Sequence, residues 1–131
     1  MIKLIDLLKE EIRDYEAYRD ESALQTVIDG KRNLGWMVLK SSTIPEDIFW
    51  NTIRKHKLET LKVNGNPSEA YIYFRKGAES EANKLKDIAE KYGGYLAWDA
   101  TEEDSRQIGK LLGYTQEDID KYIEHNKQYQ K

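Results

Sequence analysis

EAYIYFRKGAESEANKLKDIAEKYGGYLAWDA, residues 69–100, is the stretch on which the fold turns. Its opening, Glu69 to Lys76, alternates with period two and reads as a strand. Ala78, Ala82, Leu85, Ala89 and Tyr92 then share one face of a helix that Gly93 and Gly94 stop. Tyr95 to Ala100 reads as a further strand. Upstream, Gly35 to Ser41 is an apolar strand, and Thr43 opens a helix as the N-cap of a capping box with Glu46, with Pro45 in the first turn. That helix carries Ile48, Phe49 and Ile53 inward and ends near His56. Leu58 to Asn64 is a strand, followed by an Asn-Gly-Asn-Pro turn at 64–67. Strand, helix, strand, strand, helix, strand is the split βαβ order of a ferredoxin-like sandwich. The expectation is an α+β fold, βαββαβ, with a four-stranded antiparallel sheet and both helices on one face.

Outside that core the pattern is helical. Ile5, Leu8, Ile12 and Tyr15 recur at helical spacing from Ile2 to Tyr18, with Lys9, Glu10, Arg13, Asp14 and Glu16 opposite. Ser22 to Ile28 predicts a short helix with Ser22 as N-cap and Leu24, Val27 and Ile28 inward. Thr101 caps a helix running to Leu112, Gly113 ends it, Thr115 caps the last helix, and the tail after Asn126 frays. A chain of 131 residues with these elements is one domain: an N-terminal helical extension (1–34), the βαββαβ core (35–100) and a C-terminal helical pair (101–131).

Composition bounds the chemistry. There is no cysteine, which excludes disulfides, thiolate metal sites and cysteine nucleophiles. Mean hydropathy is −0.83, yet three Trp and nine Tyr supply buried anchors, so a folded core is expected. The opening residues are interrupted by Lys3, Asp6 and Lys9, unlike a signal peptide, and no apolar run approaches the roughly 20 residues that span a bilayer. A cytoplasmic protein with no membrane partner is the expectation. The net charge of −3 conceals a basic middle: residues 31–76 hold nine basic and four acidic side chains, while the segments on either side are acidic. Such a middle either packs beside the acidic arms or faces phosphate or an acidic partner.

Strand parity places Tyr71, Tyr73 and Arg75 on one face with Trp36, Val38 and Lys40, Thr60 and Lys62, and Tyr95 and Ala97. Aromatic rings edged by cations hold single-stranded nucleic acid by stacking and phosphate contact. In segment order and in its alternate third-strand tyrosines, residues 36–100 resemble an RNA-recognition motif, although Glu69 and Ala70 stand where that family has a basic residue and glycine. The same aromatics can instead form a second core layer under the added helices. The candidate binding face is Trp36, Lys40, Lys62, Tyr71, Tyr73, Arg75 and Tyr95.

The stretch SRQIGKLLGYTQEDIDKYI, residues 105–123, resembles a helix-turn-helix, with Gly109 at the tight crossing and Gly113 at the turn. Its second helix presents Glu117, Asp118 and Asp120, which repel duplex DNA. With Lys121 these residues form a candidate protein-contact arm. His56 and His125 lack the neighbours of a general base or metal ligand, and Glu102 to Asp104 suit a helix start. Asp99, at a strand end, is the one carboxylate placed where sites often lie. No phosphate loop or nucleophile elbow is present. The sequence therefore points to a small non-enzymatic binding or regulatory protein, of the kind a phage or mobile element carries as an accessory. It would use no cofactor and no metal, and its partner is another protein. A single-stranded RNA or DNA binder is the alternative, and a small-ligand pocket or enzyme a weaker one.

Overall fold

A computed structural model describes residues 20–96 and 99–129. The long helix expected over residues 2–18 lies outside them. Helix α1 is already helical at residue 20 and runs to 28, so Ser22 is inside the helix and not its cap. There follow β1 (Leu34–Val38), a short 3-10 turn (Leu39–Ser41), α2 (Glu46–Lys55), β2 (Glu59–Val63), β3 (Ala70–Phe74), α3 (Glu79–Lys91), α4 (Glu102–Leu111) and α5 (Gln116–Tyr129).

Among the described residues the sheet has three strands in the order β1-β3-β2, both pairings antiparallel. The fold is α+β, but not the expected four-stranded ferredoxin-like sandwich: none of the described residues between Tyr95 and Ala100 joins this sheet. The ends of that run are drawn together. Thr101 N–H donates to Tyr92 Oη at 3.1 Å, Tyr92 Oη donates to Asp104 Oδ2 at 2.5 Å, and Asp104 N–H donates to Thr101 Oγ1 at 3.2 Å. Thr101 is thus held one side chain away from Tyr92, whereas an extended run of six residues separates its ends by about 20 Å. Gly93 and Gly94, both at positive φ, start this reversal. Gly94 also presses on the β2–β3 turn so closely that a Cβ there would stand 2.5 Å from Asn66 N. Buried Asn66 locks the contact, donating Nδ2 to Gly94 O at 2.9 Å and accepting Ser68 N–H at 2.8 Å.

Loss of the fourth strand changes the layers. In a split βαβ pair, two right-handed crossovers put both helices on the same face. With no strand after α3 among the described residues, that constraint acts on α2 alone, and α2 and α3 cover opposite faces. On one side Leu34, Val63, Ala70, Ile72 and Phe74 pack with Ala82, Leu85 and Ala89 of α3, and with Ile108, Leu111 and Leu112 of the α4 region. On the other, Met37 and Tyr73 pack with Leu24 and Val27 of α1 and Phe49 and Ile53 of α2. The stripe of α2 is rotated from expectation: Phe49 and Ile53 are buried, Trp50 is half-buried and Ile48 is exposed. Thr43 makes no capping box, because Pro45 occupies the N-cap and the helix starts at Glu46.

The C-terminal pair follows its sequence signals. Thr101 Oγ1 and Thr115 Oγ1 accept from Asp104 N and Asp118 N, as N-caps do. A Cβ on Gly109 would stand 2.7 Å from Ile119 Cγ1, so a glycine lets α4 and α5 cross closely. Arg106 to Asp120 (2.6 Å) and Lys127 to Glu102 (3.0 Å) join the two helices at the surface.

Candidate functional site

The sheet register separates the residues assigned above to one face. Trp36 pairs with Ile72, and Met37 with Tyr71. Trp36 therefore shares the α3 face with Ile72, opposite Tyr71 and Tyr73. Thr60 and Lys62 pair with Tyr73 and Tyr71 and do share their face. That face is covered. Tyr73 is fully buried with its ring 5.9 Å from that of Phe49, and Tyr71 meets the Trp50 ring edge-on at 5.1 Å. The cations scatter as well. Lys40 lies past the end of β1, with Nζ 3.4 Å from Pro67 O, while the Arg75 guanidinium lies over Gly30 at the other end of the sheet. Tyr95 is exposed in the α3–α4 connection. Tyr73, with Tyr71 packed against it, belongs to a second core layer, and among the described residues no open aromatic platform is formed on this face.

The acidic arm also meets its own fold. Asp120 accepts from Arg106 and, at 3.0 Å, from Gln116, and Lys121 pairs with Glu117 at 3.2 Å. The Arg106 hydrogen bond first, and that from Gln116 second, hold the Asp120 carboxyl below its ordinary range. Asp118 stays exposed. His56 follows the last turn of α2, and Asp99 is exposed in a turn. Among the described residues no group of three metal-ligating side chains assembles, and no helix is long and apolar enough to cross a membrane.

The region that does assemble lies along the outer edge of β1. Arg75 N–H donates to Asn33 O at 2.9 Å, and Leu39 N–H to Glu69 O at 3.0 Å. In an antiparallel ladder, hydrogen-bonding residues alternate. Asn33, Gly35, Met37 and Leu39 therefore direct their backbone groups to β3, and Leu34, Trp36 and Val38 direct theirs outward. Among the described residues no strand pairs with that edge, and the side chain that reaches it is Ser41, whose Oγ donates to Val38 O at 3.5 Å. The edge opens into a cleft of about 570 Å³, lined by Leu34, Trp36 and Val38, by Asp20 and Ala23 of α1, and by Leu112 and Tyr114 of the α4–α5 turn. Arg32, Asn66 and Tyr95 complete its rim. No protein-family model, curated protein or solved structure matches this chain.

Local sequence builds the cleft. Gly35 has no side chain, and the Tyr73 ring from the adjacent strand crosses it so closely that a Cβ would stand 2.3 Å from Tyr73 Cζ and Oη. The ring is thereby fixed across β1. Its hydroxyl is buried and has no hydrogen-bond partner among the described residues. Burial holds this phenol well above its ordinary range; Asp20 pushes the same way and Arg32 opposes. Sequence parity missed the cleft because its decisive property belongs to the backbone: which residues of β1 face outward depends on register with β3, a long-range pairing.

Proposed function

We propose that this protein binds an extended segment of another protein by adding it as a strand to the outer edge of β1. The observation that carries the reading is the row of outward backbone groups along a cleft, N–H and C=O on Leu34 and Trp36 and the N–H of Val38. A buried N–H or C=O without a partner is costly, and a docked strand satisfies such a row while side-chain pockets select sequence. The contrast with the opposite edge supports it. Proteins usually guard a sheet edge with charge. The β2 edge carries exposed Glu59 and Lys62, whereas β1 is Leu-Gly-Trp-Met-Val, without a charge. Walls from both helical layers restrict access to one narrow, extended occupant.

Amide hydrogen exchange measured by NMR tests the edge directly. Gly35, Met37 and Leu39 should exchange slowly and Leu34, Trp36 and Val38 faster, and the second set should become protected when a bound peptide is added. Peptides would come from selection of a random linear library on the full chain. Val38→Pro removes one outward donor at an edge position and should abolish their binding while leaving the circular dichroism spectrum intact. Uniform protection along β1, or selected peptides that bind the Val38→Pro variant equally well, would overturn the reading.

A further inference from the structure

We propose that the Arg32 end of the cleft is a subsite for a carboxylate carried by the bound segment, an inference that rests on strand addition at β1. Arg32 stands two residues before β1. Its stem lies against Gly113, where a Cβ would be 3.3 Å from Cγ and 3.6 Å from Cδ. Its guanidinium carbon stands 4.9 Å from the Tyr114 ring centroid. Backbone on one side and an aromatic face on the other fix the group without using its N–H donors. The other arginine against this helical pair, Arg106, is consumed by Glu102 and Asp120. Arg32 has no ion pair among the described residues, although it is half-buried.

The surroundings are short of acceptors. The nearby carboxylate, Asp20, already accepts from Ser42 Oγ at 3.2 Å. A braced guanidinium without an ion pair at the end of a strand-binding cleft fits an anionic acceptor with a planar, two-oxygen face, which its fork matches. A carboxylate supplies it, from an Asp or Glu side chain or from the C-terminus of the segment.

The test uses peptides selected from a random linear library on the full chain, resynthesised with each Asp or Glu replaced by its amide and, separately, with an amidated C-terminus. Affinities are measured by fluorescence polarisation on the parent protein and on Arg32→Gln, Arg32→Glu and Val38→Pro, with thermal melting as the check on folding. One carboxylate removal and Arg32→Gln should each weaken binding about tenfold or more, and together no further, as expected for one charge-assisted hydrogen-bonded pair. Arg32→Glu should recover affinity for the peptide with Lys at that position. Which replacement matters tells side chain from terminus. Peptides that depend on Val38 but carry no acidic preference and bind Arg32→Gln within twofold would refute the subsite and leave strand addition standing. Peptides indifferent to Val38→Pro would refute both.

Discussion

Gly35→Ala is the sharpest probe of how the cleft floor is built. The added methyl would stand 2.3 Å from Tyr73 Cζ and Oη and 2.5 Å from Cε2, against ordinary contacts of 3.4–4 Å, so the ring must move by about 1 Å. It has little room to move, being fully buried and packed edge-on to Phe49. Overpacking a filled interior costs about 1–3 kcal/mol, and this rigid neighbour puts the expected loss near the upper end, about 2–3 kcal/mol. Urea unfolding followed by tryptophan fluorescence reads the change as a lower midpoint at constant m-value. The contact is isolated by repeating the substitution in a Tyr73→Leu background. Leucine ends at Cδ and cannot reach Gly35, so Gly35→Ala should then cost less than about 0.5 kcal/mol, leaving a coupling of about 2 kcal/mol. Equal costs in the two backgrounds, or a single variant as stable as the parent, would refute the crossing of Tyr73 over Gly35 and with it the geometry of the β1 edge.

Tyr73→Phe removes a buried hydroxyl that has no acceptor among the described residues and should raise unfolding free energy by about 1 kcal/mol in the same assay; a loss of that size would mean the hydroxyl is bonded. Asn66→Ala deletes the bonds to Gly94 O and Ser68 N and should cost about 2 kcal/mol, measured by chemical denaturation, with a neutral outcome refuting the clasp between the β2–β3 turn and Gly94. The Asp104 carboxyl is held below its ordinary range by the Lys91 hydrogen bond first and by that from Tyr92 second. A lowered folded-state pKa stabilises above the unfolded value of about 3.9 and the benefit disappears as pH falls through the lower folded value. Thermal melts of the parent and Asp104→Asn should therefore differ most near neutrality and converge in acid; a gap that widens toward low pH would contradict the assignment.

The elements were written locally. Period-two alternation gave β3, apolar spacing gave α3, and Thr101, Gly109, Gly113 and Thr115 gave the C-terminal pair with its caps and close crossing. Each signal acts over a few residues, between a side chain and the backbone beside it. The parity of β3 was legible too, with Tyr71 and Tyr73 on one face and Ile72 and Phe74 on the other. What tertiary structure alone decided was which partners these elements met. Tyr95 to Ala100 has a strand's composition, but Thr101 N–H donates to Tyr92 Oη and Asn66 Nδ2 to Gly94 O on either side of it, and none of its described residues joins the sheet. That loss freed α3 to cover the face opposite α2, turning the tyrosine surface into core. Register between β1 and β3 then put Trp36 across the sheet from the tyrosines and aimed the backbone of Leu34, Trp36 and Val38 outward. Periodicity fixes which side chains of one strand share a face; only pairing between strands, remote in sequence, fixes which faces coincide and which backbone groups turn outward.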